Sequence, residues 1–157
     1  MTVIFSKSCE YALQAVLYLA KNTQRNPIHL LEIASALQLP HHFLSKVLQT
    51  LSHHEIVESR KGQNGGFELG RAASSIELND IVKAIDGDAF LAHCVLGFPQ
   101  CGDEKPCPAH SYWKEAKEII LKMLHEKTVD DLCRNMDDKL DLLQMISQKR
   151  KIAMEAN

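Results

Sequence analysis

Hydrophobic residues recur at helical spacing along most of this 157-residue chain, and the stretch that breaks the rhythm is rich in cysteine, glycine and proline. Residues 9–21 carry Tyr11, Ala15, Tyr18 and Leu19 at i, i+4, i+7 and i+8, with Ala12 and Val16 widening the stripe, which predicts an amphipathic helix. After a polar turn from Asn22 to Pro27, a short helix is expected over 30–37, with Leu30, Ile33, Ala34 and Leu37 turned inward. Leu39-Pro40 ends it, because a residue before proline is pushed out of the helical region. A third helix opens at Pro40 or His41 and reaches His54, with Phe43, Leu44, Val47, Leu48 and Leu51 as its apolar face. Its other face shows His41, His42, Ser45, Lys46, Gln49 and Thr50.

The period then changes. Ile56 to Arg60 and Phe67 to Leu69 read as two short strands around a tip rich in glycine and amides, which predicts a β-hairpin. Ile76 to Ile85 predicts a fourth helix, stopped by Asp86-Gly87. A long helix is expected over 110–127, with Trp113, Ala116, Ile120, Met123 and Leu124 along one side. Thr128 to Asp131 resembles a capping box with aspartate in the glutamate position, opening a last helix through Leu132, Met136, Leu140 and Leu143. The basic tail at Lys149-Arg150-Lys151 is expected to fray.

Two short helices joined by a tight turn, the second polar on its outer side, followed at once by a hairpin, are the order of a winged helix-turn-helix. A recognition helix enters the major groove by its N-terminal end. That end presents His41, His42, Ser45, Lys46 and Gln49 as candidate DNA contacts. The wing tip adds Arg60, Lys61, Gln63, Asn64, Gly65 and Gly66, two cations beside amides on a backbone able to approach sugar and phosphate closely. Charge agrees weakly: residues 1–75 hold 7 Lys/Arg against 5 Asp/Glu (+2), and residues 76–157 hold 11 against 15 (−4).

Between the fourth and the long helix lie Cys94, Cys101 and Cys107, with His110 three residues beyond the last. Gly97, Pro99, Gly102, Pro106 and Pro108 exclude regular structure across them, leaving a loop that carries soft thiol donors and one imidazole. Such donors bind iron–sulfur clusters or zinc. A tight Cys-x-x-Cys knuckle is absent, which disfavours zinc without removing it. A metal-free thiol switch is a further reading of the same cysteines. Cys9 and Cys133 fall on apolar helix faces and read as buried, inert thiols. The Tyr112-Trp113 pair reads most simply as core or dimer packing, and Trp113 could shield the loop from water.

Length and a 45% hydrophobic, 24% charged composition fit one ordinary domain with an appendage. No apolar run reaches the ~20 residues of a bilayer span. The N-terminal residues lack a basic n-region and a cleavage site, so a cytoplasmic chain with no membrane contact is expected. No phosphate loop, Gly-x-Ser-x-Gly elbow or His-Glu-x-x-His motif appears, so an enzyme is not expected.

The carrying segments, Glu10-Tyr-Ala-Leu13, Phe43 to Leu51, Val57 to Leu69, Ile81 to Gly87, the three cysteines and Cys107-Pro-Ala-His-Ser-Tyr-Trp113, resemble the IscR/NsrR (Rrf-two) family of bacterial winged-helix transcription regulators over about residues 5–133. The resemblance implies a mainly α fold with a small β-hairpin wing and a long C-terminal dimerisation helix. It divides the chain into a DNA-binding region (1–75), a linking helix with the cysteine loop (76–108), and dimerisation helices with a tail (109–157). It implies a homodimer on a double-stranded DNA operator, with an iron–sulfur cluster that answers iron supply, oxidants or nitric oxide and is acquired from iron–sulfur assembly machinery.

By the same resemblance Cys94, Cys101 and Cys107 are thiolate ligands. For the fourth, the IscR branch uses a histidine that falls on His110, and other branches use an acidic residue of the partner subunit that falls on Glu10. Both are present, and His110 is favoured because one loop then delivers all four donors. A 2Fe-2S cluster is favoured, with 4Fe-4S as the alternative, since the Cys94 to Cys101 spacing is one residue longer than in the IscR arrangement. Ser45 stands where IscR-like proteins carry an acidic residue, so their operator sequence does not transfer. From another class, the alternative is a small iron–sulfur redox protein whose winged helix makes protein contacts.

Overall fold

The computed structural model describes residues 4–87, 91–99 and 101–134. Ser6 starts the first helix, α1 (Lys7–Lys21): its hydroxyl accepts the Cys9 amide at 3.1 Å, while its own amide donates to Asp86 at 2.8 Å. This capping extends the helix one half-turn ahead of the apolar stripe that predicted it. α1 is the central post. Ala12, Ala15, Val16 and Leu19 are fully buried, and α1 packs against the second wing strand and the helices that follow it.

α2 (Leu30–Leu37) ends at Gln38 in a left-handed conformation, and α3 (His41–His53) follows after Leu39 and Pro40. Leu44, Val47, Leu48 and Leu51 are the buried face of α3. Phe43, expected with them, is instead 49% exposed, its ring tilted 41° against that of His42 with centroids 4.5 Å apart. At 100° per residue it sits about 90° from the centre of the buried stripe, outside the reach of α1.

β1 (Val57–Arg60) and β2 (Gly66–Leu69) pair antiparallel with Val57 opposite Leu69, Glu58 opposite Glu68, Ser59 opposite Phe67 and Arg60 opposite Gly66. Ile28 adds a bridge on the far side of β2, exchanging hydrogen bonds of 2.9 and 2.8 Å with Phe67. The turn before α2 is thereby tied to the wing.

α4 (Leu78–Asp86) begins two residues later than its hydrophobic pattern suggested, because Glu77 is its N-cap in a capping box with Asp80. Ile76 and Glu77 remain extended and strap the next layer: Leu78 N–H donates to Lys127 O at 3.0 Å, and Val129 N–H to Ile76 O at 2.9 Å. α5 (His110–Glu126) lies on α4, and α6 (Val129–Cys133) opens through the expected Thr128/Asp131 capping box and returns to α1. The expected continuation of α6 through Met136, Leu140 and Leu143, and the basic tail, lie outside the described residues.

One core joins α1, α2, α3, the wing base and Val129; a smaller one, made by Cys9, Leu78, Val82 and Leu124, fastens α4 and α5 to α1. Among the described residues, no helix is long and apolar enough to cross a membrane.

Candidate metal centre and nucleic-acid interface

The loop between α4 and α5 folds its donors onto the first turn of α5. Cys94 and Cys107 place their sulfurs 4.0 Å apart, and Cys101 Sγ lies 3.7 Å from His110 Nδ1. The four donors thus arrive as two pairs, and among the described residues no three His, Cys, Asp or Glu groups close in on a single ion. Cys94 is buried and hydrogen-bonded by the Leu96 and Phe98 amides, which hold its thiol below the ordinary range, with smaller contributions from Cys107 and Cys101. Backbone N–H groups aimed at a sulfur favour the thiolate, the form that binds metal.

His110 is buried, and its Nε2 meets Asp103 Oδ1 at 3.0 Å. A carboxylate only accepts, so Nε2 donates to Asp103, and Nδ1 is the ring nitrogen turned toward Cys101. Lys114 grips the same carboxylate at 3.1 and 3.2 Å, and His110 and Lys114 together keep the Asp103 carboxyl below the usual range. Lys117 Nζ lies 4.0 Å from Cys101 Sγ and 5.9 Å from the Trp113 ring centre. The Trp113 indole donates to His93 O at 3.0 Å, pinning the loop to α5. Tyr112 is 78% exposed, so it does not pack in the core of its own subunit.

Glu10, the other candidate ligand, stands in the first turn of α1 in an ion pair with Lys7 at 2.6 Å. Cys9 beside it is fully buried, and burial, with Asp86 nearby, pushes its thiol up to about 12. Iodoacetamide at pH 8 on metal-free native protein should therefore label Cys101 and Cys107 and spare Cys9, as peptide mass mapping would read. Because the folded value exceeds the free-thiol value, stability linked to Cys9 is retained below about pH 9 and declines as the pH rises toward 12.

On α3, His41, His42, Lys46 and Gln49 are exposed and Ser45 is half-buried. Lys61, Gln63 and Asn64 are exposed at the wing tip, while Gly65 is buried in its turn and Gly66 is half-buried. Arg60 is exposed but engaged, its Nε 2.5 Å from Glu68 Oε1. Sequence alone does not foretell the exposure of Phe43 or the burial of Glu68: the apolar pattern assigns Phe43 to the core, and nothing local separates Glu68 from an ordinary exposed strand charge.

A family profile described as "Rrf2: Iron-dependent Transcriptional regulator" matches residues 5–135. The chain belongs to the Rrf2 family. Rrf2 proteins are winged-helix transcription regulators, not enzymes; they bind DNA and typically dimerise. An Aquifex aeolicus protein bearing the name HTH-type transcriptional regulator is 36% identical over 140 residues, covering 87% of this chain and 95% of its own. The HTH-type transcriptional regulator NsrR of Oceanobacillus iheyensis is 28% identical over 138 residues, covering 87% and 94%. Among solved structures, CymR, the global cysteine regulator of B. subtilis, superposes with a TM-score of 0.74 at 23% identity, over 87% of this chain and all of that one. That likeness places this Rrf2 member in the same fold.

Proposed function

We propose that this Rrf2 protein is a homodimeric regulator whose operator affinity is set by an iron–sulfur cluster held at Cys94, Cys101, Cys107 and His110. The arrangement of the donors as two pairs, in a loop inserted between the winged helix and α5, carries this reading. The donor set fits: three soft thiols, one of them already favoured as thiolate by two backbone amides, and an imidazole with its free nitrogen on the thiol side. When bound, the cluster would supply one-electron chemistry and a target for oxidants or nitric oxide.

The chain's own residues do the rest. Asp103 fixes the His110 tautomer, Trp113 holds the loop's entry against α5, and the Leu96 and Phe98 amides favour the Cys94 thiolate. Tyr112, Ile119 and Met123 are exposed apolar positions that share one face of α5, and they form the surface for a second copy. A dimer built there must set its two recognition helices ~34 Å apart to enter successive major grooves. A loop packed on α5 is well placed to alter that spacing. His41, His42, Ser45, Lys46, Gln49, Arg60, Lys61, Gln63, Asn64 and Gly65–Gly66 form the face toward DNA. A 2Fe-2S cluster suits four ligands from one loop; a 4Fe-4S cluster completed by Glu10 of the partner subunit is the alternative.

A thiol switch is the second reading, favoured by one observation: Cys94 and Cys107 sulfurs 4.0 Å apart, with Cys94 biased toward thiolate. Peroxide would take two electrons and two protons from the pair, forming the S–S bond and leaving water.

The test is an anaerobic absorption spectrum of freshly purified protein, with iron, acid-labile sulfide and zinc measured on the same sample. Structured visible bands with near-equal iron and sulfide are expected. A colourless protein holding stoichiometric zinc, or one that refuses iron and sulfide on reconstitution, would overturn the cluster and leave the thiol or structural reading.

A further inference from the structure

Glu68 is out of place for an ordinary strand residue. Glutamate is depleted in strands, and this one lies in a short wing strand with its side chain only 12% exposed. Its position also puts it directly opposite Glu58, a like-charge pairing that disfavours the hairpin. A buried carboxylate is costly unless a cation answers it, and Arg60 does so at 2.5 Å through Nε.

The register explains how Arg60 reaches it. Arg60 and Glu68 share one face of the hairpin, on diagonal positions, and the residue directly opposite Arg60 is Gly66. With no side chain there, the arginine stem crosses the gap and lays its guanidinium against the carboxylate. Contact through Nε uses one of five donors set in a rigid fork. The Arg60 side chain remains 58% exposed beside Lys61 at the wing tip. Its free edge is thereby fixed in direction.

We propose that Glu68 is a positioning residue for DNA recognition: it holds the Arg60 guanidinium so that its unused edge meets the DNA groove beneath the wing in one orientation. An arginine held this way discriminates between groove shapes, whereas a loose cation adds only sequence-independent attraction. The inference rests on the reading of Arg60 as a DNA contact.

The experiment uses the full chain and two probes, a duplex enriched by the wild-type protein from a random-sequence pool and an unrelated duplex of equal length. Affinities are measured over a salt series for R60A, E68A, E68L, E68Q and the R60A/E68A pair, with thermal melts as a check on folding. E68L fills the site with an apolar side chain, so it separates positioning from packing. Expected are about tenfold losses on the enriched duplex for R60A, E68A and E68L; on the unrelated duplex the Glu68 variants lose nothing and R60A loses only a small, salt-dependent amount. E68Q, whose amide oxygen still accepts from Nε, should stay within about twofold, and the double variant should be no worse than R60A. If E68A, E68L and E68Q all tighten binding to both duplexes, Glu68 only neutralises Arg60 and the positioning role is overturned. If R60A binds like wild type, the reading of Arg60 as a contact fails instead. If R60A weakens binding and E68A does not, the positioning role alone fails.

Discussion

Cys101→Ala is expected to yield a folded protein that takes up little iron or sulfide and binds DNA equally before and after exposure to nitric oxide or reductant. Folding should survive because Cys101 belongs to neither hydrophobic core and lies in a loop outside α4 and α5. Ligation should not, because the loss leaves His110 Nδ1 without the thiol it faces. For a coupling of about 1–3 kcal/mol, the wild-type protein should show a roughly 5- to 150-fold affinity difference between loaded and stripped forms; the variant ratio should collapse to one. Iron and sulfide assays beside gel-shift titrations would read both. A variant still responding to nitric oxide as wild type does would remove Cys101 from the sensing site. His110→Ala beside Glu10→Gln assigns the fourth ligand: whichever substitution lowers iron retention marks the donor.

Gly66→Ala should cost the wing its attachment. A Cβ at Gly66 would stand 2.6 Å from Ile28 C and closer still to Ile28 O, backbone atoms with nowhere to retreat. Relief requires β2 to leave the Ile28–Phe67 bridge, whose two hydrogen bonds measure 2.8 and 2.9 Å. Two bonds at about 1 kcal/mol each, with some overpacking strain, give a loss of about 3 kcal/mol. For a chain of this size that lowers Tm by roughly 6–12 °C. DNA affinity should fall with it, since Arg60 lies opposite Gly66. Calorimetry and gel shifts test this; an alanine variant that melts and binds like wild type would show that the close approach at Ile28 does not constrain the wing.

Helix positions were legible because their period is local. Residues 30–37 matched residue for residue, and the Thr128/Asp131 box formed as its spacing foretold. What escaped was decided by distant partners. Asp86 reaches Ser6 across 80 residues and helps fix the start of α1, and Lys127 and Val129 hold Ile76 and Leu78 in the strap that delays α4. The Ile28 bridge to the wing has no signature in a polar turn. In the cysteine loop the four donors were readable as types, but their pairing was not, nor was the recruitment of Asp103 to His110, because proline and glycine erase any period from which neighbours could be inferred. Phe43 misled for a simpler reason: it belongs to the apolar alphabet while pointing about a quarter turn off the buried stripe.

The strap between Ile76–Leu78 and Lys127–Val129 has a mechanical meaning. It rivets the far end of α5 to the root of α4, while the Leu124, Val82 and Cys9 cluster welds both to α1. At its near end α5 carries the cysteine loop. The long helix is therefore held at both ends, and under the proposed mechanism a tilt imposed at His110 would be passed on to the winged helix instead of being absorbed at Glu126.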